Sequence, residues 1–458
     1  MIENDAFKLL LINLFHLNPD DIANIFCTTF NKMMVLLVTL ADKHQACPYC
    51  GFTAPKIKEY VTKEITHSAL TTQKCIIKYR ARRYKCPCCG KTYYEFNPFV
   101  FKSQKISILT VHNILKDLKD FNETFTSVAR RYHVSPTSVS TIFDNHVDIG
   151  RNPLPEIINF DEVYAFKSEK SKYVCVLLDF KKQIPVDVLP NRKKEYLLNY
   201  FQKIPLEERK KVKYACSDMY EVYRDVVHKV FPCSCMLLDY FHLSQDFHRK
   251  MNEVRIKVMK GYKDDKASDE YYLLKKFNWL LFKNPEDEDK YGRLFDVERE
   301  RKYNSHFKSY MNYYDLRRKL LEINNNITIC YSLKLELVDF YSKSTIDNAQ
   351  VNLEHLIRSC IDTNIEEMIA FSNNLINWKQ EIINSFTIVG TEYKVEADKG
   401  QVVVCNKKVN NAIIENRNKI IKCIKNNANG YTNWSRFRNR VMYVLDPNTT
   451  FSLEPREK

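Results

Sequence analysis

"IINFDEVYAF", residues 157–166, is a run of hydrophobic and β-branched residues broken by two acids, Asp161 and Glu162. Such a run favours a buried strand, and alternation along a strand sends neighbouring side chains to opposite faces. Only one of the two acids can therefore join any one cluster. A carboxylate inside a sheet is costly unless a cation or hydrogen bonds compensate it, so the stretch predicts a partner for Asp161.

The flanking sequence extends the pattern. "KYVCVLLDF" (172–180) and "QIPVDVLPN" (183–191) are two more strand-like runs joined by short polar turns. "KKEYLLNYFQKI" then has helical periodicity, "VKYACSDMY" is a fourth strand, "YEVYRDVVHKVF" a helix, and "CSCMLLDYFH" a fifth strand. Three meandering strands followed by helix, strand, helix and strand is the element order of the ribonuclease H-like α/β fold. In that sheet the first strand is central and the fourth lies beside it, so Asp161 and Asp218 are expected to meet. Two carboxylates so close repel unless a hard cation lies between them, and Mg²⁺ (or Mn²⁺) suits oxygen ligands and phosphate. A third acid is expected from a helix packed on the sheet. In "NNAIIENRNKIIK" (410–422), Asn411, Glu415, Asn418, Lys419 and Lys422 share one helical face and Ile413, Ile420 and Ile424 the other. Glu415 is the expected third ligand, with Lys419 and Lys422 near the DNA backbone.

Upstream, "CPYCG" (Cys47, Cys50) and "CPCCG" (Cys86, Cys89) form two C-x-x-C knuckles separated by a strand-rich interval. That spacing suits one tetrahedral structural Zn²⁺. Cys88 is an extra thiol, while Cys86 and Cys89 have the matching spacing. "FTSVARRYHVSPTSVSTIFDNHV" reads as a helix-turn-helix. Val128, Ala129 and Tyr132 face inward, Ser135–Pro136 caps the second helix, and Val139, Ile142 and Phe143 are buried. Thr137, Ser138 and Thr141 are left for base edges, with Arg130 and Arg131 for phosphates.

The chain has 458 residues, 45% apolar, with 71 Lys plus Arg against 56 acids, a formal charge of +15. A basic excess of this size favours a polyanionic partner. The start, "MIENDAFKLLLINLF", lacks the basic leader of a secretory signal, and "MMVLLVTLA" is about half the length of a membrane span. A reducing, cytoplasmic and nucleoid-associated setting is expected, with the paired cysteines as metal ligands.

"NFDEVYAFK", "CSDMYEVYRDV", "LLDYFHL" and "NNAIIENRNKIIKCIKNNANGYTNWSRFRNRV" together resemble the successive blocks of bacterial insertion-sequence transposases of the ISL-three group, from the first knuckle to about residue 445. The resemblance implies a DDE catalytic triad at Asp161, Asp218 and Glu415, with a zinc module and helix-turn-helix ahead of it and a helical insertion between the second and third acids. Asn410, Asn411 and Ala412 stand where similar proteins have a Ser-Asn-Gly-like start, and Tyr240 where Arg is usual. Asp239 and His242 are expected to support the site, and Trp434 and Arg438 either to stack on or clamp DNA or simply to cap the fold.

The expected organisation is a helical segment (1–45), a zinc-binding module (46–100), a helix-turn-helix domain (101–150), a catalytic core (155–243), a helical insertion (244–400) and a catalytic helix with a basic-aromatic tail (401–445). The expected activity is metal-dependent strand cleavage and strand transfer at element ends by a dimer or larger assembly on double-stranded DNA. The alternative is a catalytically inert DNA-binding regulator derived from a transposase.

Overall fold

A computed structural model describes residues 2–43, 46–53, 55–101, 104–166, 171–395 and 402–456. Helix α1 (Ile2–Leu14) leads through a short 3₁₀ turn into strands β1 (Ile22–Phe30) and β2 (Met33–Leu40). The expectation of a helical segment over 1–45 is corrected here, because its second half is a β-hairpin. Asn31 and Lys32 adopt φ +48° and +60°, which matches the right-handed strand twist that two-residue hairpins need. The β-branched and aromatic residues of "CTTF" and the apolar "MMVLLVTL" favour extended backbone over helix.

Strands β3 (Lys56–Thr66), β4 (Cys75–Lys85) and β5 (Thr92–Tyr94) complete a sheet of order β1-β2-β4-β3, with β5 on β4. Its core face, including Leu36, Val38, Ile65, Ile77 and Ala81, packs on Leu11 and Ile12 of α1 and on Phe15 just beyond it. Three short helices follow: α2 (Ile108–Asp117), α3 (Phe125–Arg131) and α4 (Pro136–His146). Thr124 and Ser127 form a capping box on α3, and Ser135 caps α4 with Pro136 in its first turn.

The second sheet holds β6 (Ile157–Tyr164), β7 (Tyr173–Asp179), β8 (Pro185–Leu189), β9 (Tyr214–Ser217) and β10 (Cys235–Leu238), in the order β10-β9-β6-β7-β8. β6, β7 and β8 form an antiparallel meander, and β9 and β10 run parallel to β6. Helices α5 (Lys194–Gln202), α6 (Leu206–Arg209) and α7 (Glu221–Val230) connect the later strands. Phe160, Leu177 and Met236 pack against α5 and α7 on one face.

Helix α8 (Tyr240–Gly261) starts immediately after β10 and runs unbroken past residue 244, so the expected domain boundary falls within a continuous helix. It continues into α9 (Asp269–Lys276), two small hairpins (β11–β12, Glu288–Asp289 with Gly292–Arg293, and β13–β14, Lys302–Asn304 with Ser309–Met311), α10 (Tyr313–Glu322), α11 (Asn325–Lys343), α12 (Ala349–Asp362), α13 (Glu366–Asn377) and α14 (Lys379–Asn384). This region has a core of its own around Phe247, Leu337, Leu356 and Phe371. A hairpin of β15 (Ile388–Val395) and β16 (Val402–Lys408) then leads to α15 (Ala412–Asn427) and α16 (Trp434–Leu445). Both final helices cover the other face of the second sheet, packing on Val163, Val174, Val176 and Val188. The buried stripe of α15 is Ile414, Ile421 and Ile424, while Ile413 and Ile420 are only partly buried. The predicted apolar face is thus rotated, because Asn418 turns inward. Among the described residues no helix is long and apolar enough to cross a membrane.

Candidate active site

The register of the second sheet sets the site. Asn159 pairs with Cys216 across β6 and β9, so two residues further on Asp161 lies level with Asp218. Leu238 pairs with Ser217, so Asp239 follows level with Asp218 on the next strand end. The parallel arrangement thus brings three aspartates, separated in sequence, to one rim. Asp161 is 8% exposed and Asp239 2%.

Helix α15 is clamped over this rim by buried amides. Asn159 Nδ2 donates to Asn411 Oδ1 (2.7 Å) and to the Asn410 carbonyl (2.8 Å), Asn411 Nδ2 donates to the Phe160 carbonyl (3.3 Å), and the Asn411 N–H donates to Asp239 (3.3 Å). Two turns further along, Asn418 Nδ2 donates to Asp161 Oδ2 at 2.7 Å. Glu415, between these two contacts, is carried toward Asp239 and His242. The His242 Nε2 atom lies 3.7 Å from Asp239 Oδ2 and 3.7 Å from Glu415 Oε1. Asn411→Ala removes two of the amide bonds inside an apolar surround, and each buried polar group left unpaired costs about 1–3 kcal/mol. The variant is expected to lose roughly 2 kcal/mol in urea unfolding; an unchanged midpoint counts against the clamp.

The electrostatics mark a site built for positive charge. Burial first, and then the Asp218 carboxylate, push the Asp161 carboxyl up to about 7, against the opposing pull of His242. Burial also raises Asp218 and Asp239; His242 and Arg192 oppose it at Asp218, and His242 and the Asn411 N–H at Asp239. Asp218 Oδ1, Asp239 Oδ2 and His242 Nε2 are buried without hydrogen-bond partners. Buried polar atoms are normally satisfied, and three convergent unpartnered atoms among four acids fit a cation-binding site. Ligand atoms of Asp239, His242 and Glu415 lie within 4.8 Å of one another. The hard oxygen donors of this rim suit Mg²⁺ or Mn²⁺, with one imidazole among them.

Glu162 points to the opposite face, where it pairs with Arg192 and approaches the Tyr223 hydroxyl (3.4 Å). Arg192 is a feature the sequence reading missed; it lies in a loop between β8 and α5 with no periodicity to signal it. Asn159 was missed too, although a fully buried Asn inside an apolar strand is itself a signal.

The four knuckle cysteines converge. Cys47 and Cys89 sulfurs are 3.7 Å apart, Cys50 and Cys86 sulfurs 3.5 Å, and all four lie within 4.8 Å. Each knuckle closes the same way: Gly51 N–H donates to the Cys47 carbonyl and Gly90 N–H to the Cys86 carbonyl, both at 2.9 Å. Gly51 and Gly90 sit at φ +73° and +69°, where a side chain is strained. Backbone N–H groups, that of Cys89 foremost, hold the Cys86 thiol down to about 7. Four thiols without a disulfide, at matched spacing and with one poised to ionise, fit tetrahedral Zn²⁺. Cys88 is exposed and outside the cluster.

The proposed DNA contacts divide in two. Arg130, Thr137, Thr141, Lys419 and Lys422 are exposed. Ser138 is partly exposed, with its hydroxyl 2.8 Å from that of Ser135. Arg131, by contrast, is held by Asp117 and Glu123. Arg438 donates to Asp187 (2.7 Å) and the Ile149 carbonyl (2.6 Å). Trp434 packs edge-on against Phe166 at 5.1 Å. These three are therefore braces in this structure. The tail that carries Trp434 and Arg438 is a strap: Arg436 pairs with Asp144 on α4, buried Arg440 donates to the Asp120 and Glu123 carbonyls, and Tyr443 donates to the Leu115 carbonyl. Helix α16 thereby locks the α2–α4 unit to the second sheet.

The mixed α/β sheet, with acids gathered at one strand-end rim, is consistent with a transposase catalytic domain. The sequence model of the family DDE_Tnp_ISL3, described as transposase, matches residues 158–397, and the chain belongs to this ISL3-type transposase family. The matched span includes Asp161, Asp218, Asp239 and His242; Glu415 lies beyond it. The chain is also similar to the transposase for insertion sequence element IS1001 of Bordetella parapertussis, 19% identical over 409 residues, covering 89% of this chain and 90% of the relative.

Proposed function

We propose that this chain is a DNA transposase acting through a DDE triad of Asp161, Asp218 and Glu415 on a ribonuclease H-like core. The observation that supports the reading is a rim where Asp161, Asp218 and Asp239 stand level on neighbouring strands, beside a cluster in which ligand atoms of Asp239, His242 and Glu415 lie within 4.8 Å of one another. Asp161, Asp218 and Glu415 would hold divalent cations there, which when bound would activate the attacking hydroxyl and stabilise the leaving oxygen of an in-line phosphoryl displacement. Asp161 and Asp218 hold that charge from the sheet, and Glu415 from α15, whose position the Asn159–Asn411 clamp fixes. Asn418 orients the Asp161 carboxylate through its 2.7 Å bond. His242, with Nε2 3.7 Å from both Asp239 and Glu415 and hydrogen-bonded to neither, would join them in holding a cation. No covalent enzyme–DNA link is needed, so water cuts the strand and the freed 3′-hydroxyl attacks the target.

The cysteine module and the α3–α4 pair, as a zinc ribbon and a helix-turn-helix, bind the element's terminal inverted repeats, with Arg130 on phosphate and Thr137, Ser138 and Thr141 toward base edges. Lys419 and Lys422 extend the basic surface beside the acids. Two ends held together call for a dimer or larger assembly, working in the cytoplasm on nucleoid DNA.

The test is incubation of the full chain with duplexes carrying the element's own end or a scrambled end, with Mg²⁺ or with EDTA. Nicking restricted to the true end and to Mg²⁺ is expected. End-specific binding without cutting in Mg²⁺ or Mn²⁺ would sink this reading and favour the inert regulator.

A further inference from the structure

At the edge of the acid rim, β6 ends in Tyr164, three residues beyond Asp161 and so about 10 Å along the strand. Tyr164 is 50% exposed. It opens onto a cavity of about 430 Å³, whose lining includes Phe166, Lys172, Lys425, Asn426 and Tyr431. The Lys425 ammonium sits 5.5 Å from the Tyr164 ring centroid. The Tyr173 ring meets Tyr164 edge-on at 5.6 Å, and the Arg192 guanidinium lies 4.6 Å from Tyr173 and 4.9 Å from Tyr220. Tyr220 is two residues past Asp218. Tyr220, Arg192, Tyr173, Tyr164 and Lys425 thus form a run of rings and cations that follows the Glu162 side of the strand to the cavity.

Each part matches one part of a nucleotide. Exposed aromatic faces stack bases whatever their identity, and lysines beside them neutralise the backbone. Neither Lys172 nor Lys425 has an ion-pair partner among the described residues, so both charges remain available. The Asn426 side chain offers donors and an acceptor to a base edge. A cavity of this size holds one base and its sugar, but not paired duplex, which cannot bring a base to a ring set in a recess unless that base leaves its stack.

We propose that this cavity binds an unpaired nucleotide of a DNA strand, its base against Tyr164 and its phosphates between Lys172 and Lys425. This subsite rests on the transposase reading for its purpose: it holds the strand on one side of the scissile phosphate, about three stacked steps away at 3.4 Å each. It does not rest on that reading for its existence, because stacking needs no catalytic metal.

The experiment uses the full chain in metal-free buffer with EDTA. The probes are a mixed-sequence 12-nucleotide single strand carrying 2-aminopurine and a blunt 30-base-pair duplex. Tyr164→Ala is expected to weaken the single strand about five- to fifty-fold and to abolish 2-aminopurine quenching, with the duplex affected less than about twofold. Tyr164→Phe keeps the ring and is expected to stay within about twofold of wild type. Lys425→Ala, on the exposed side of α15, is expected to weaken the single strand and reduce the salt dependence. Equal loss on both probes, or single-strand binding unchanged in both alanine variants, overturns the proposal. Displacement of the strand by dAMP at equal nucleotide concentration also overturns it, since that marks a mononucleotide site. A wild-type chain that never cuts DNA yet shows the Tyr164-dependent quenching would defeat the transposase reading alone.

Discussion

Asp161→Asn, Asp218→Asn and Glu415→Gln are each expected to lower Mg²⁺-dependent strand cleavage by about 10³-fold or more, since loss of an interaction worth several kcal/mol in the transition state costs a factor of ten per 1.36 kcal/mol. A second effect of opposite sign separates this from simple damage. Without metal, the folded chain pays for crowding buried carboxylates. An unfolded Asp loses its proton near 3.8, whereas burial and the Asp218 charge hold the Asp161 proton until about pH 7. Between those values the folded state keeps a proton that the unfolded state has given up, so stability falls as pH rises through the window and stays low above it. Asn removes the titration but keeps an amide that Asn418 can meet by turning its own. In EDTA, Asp161→Asn is therefore expected to match wild type near pH 3.5 and to exceed it at pH 8 by on the order of 3 kcal/mol. Adding Mg²⁺ at pH 8 is expected to raise the wild-type melting temperature and to do much less for the variant. An inactive variant that is also less stable at pH 8 points to a structural role for Asp161.

The acids of this rim were legible because alternation and strand order fix which side chains reach which end of a parallel sheet. Asp161 and Asp218 needed only a central first strand beside the fourth, and the register supplies it. The helix-to-sheet contacts were less legible. The periodicity of α15 named a polar face correctly around Asn411 and Glu415, but placed Ile413 rather than Ile414 inward, because the inward turn of Asn418 toward Asp161 depends on a partner 257 residues away. The α16 strap was misread for a related reason. Composition shows arginines and aromatics, but whether an arginine meets phosphate or a neighbouring carboxylate depends on tertiary neighbours such as Asp144 and Asp187. The β1–β2 hairpin failed at a local step: Asn31 was available as a turn signal and the flanking apolar run was read at helical period instead.

The largest stability effect is expected at the cysteine cluster. Cys47, Tyr84, Cys86 and Tyr93 form a core of only a few residues, too small to order residues 46–53 and 86–91 by burial alone. The two knuckles flank the open end of the β3–β4 hairpin, where Lys56 pairs with Lys85, and the four sulfurs are their closest tie. Zinc binding to such thiolates contributes on the order of 10 kcal/mol, all of it folding energy because the unfolded chain presents no site. The purified chain is expected to carry one zinc per molecule by elemental analysis. Cys47→Ser and Cys86→Ser are expected to abolish that zinc and to expose the module to proteolysis near residue 50, while the second sheet keeps its melting transition. Cys88→Ser, outside the cluster, is expected to retain full zinc and protease resistance. Because the module would hold end DNA rather than the scissile phosphate, the zinc-free variants are expected to lose end-specific binding by about tenfold or more, while keeping the weak non-specific nicking of the intact acid rim. Full zinc in Cys86→Ser, or its loss in Cys88→Ser, would reassign the fourth ligand.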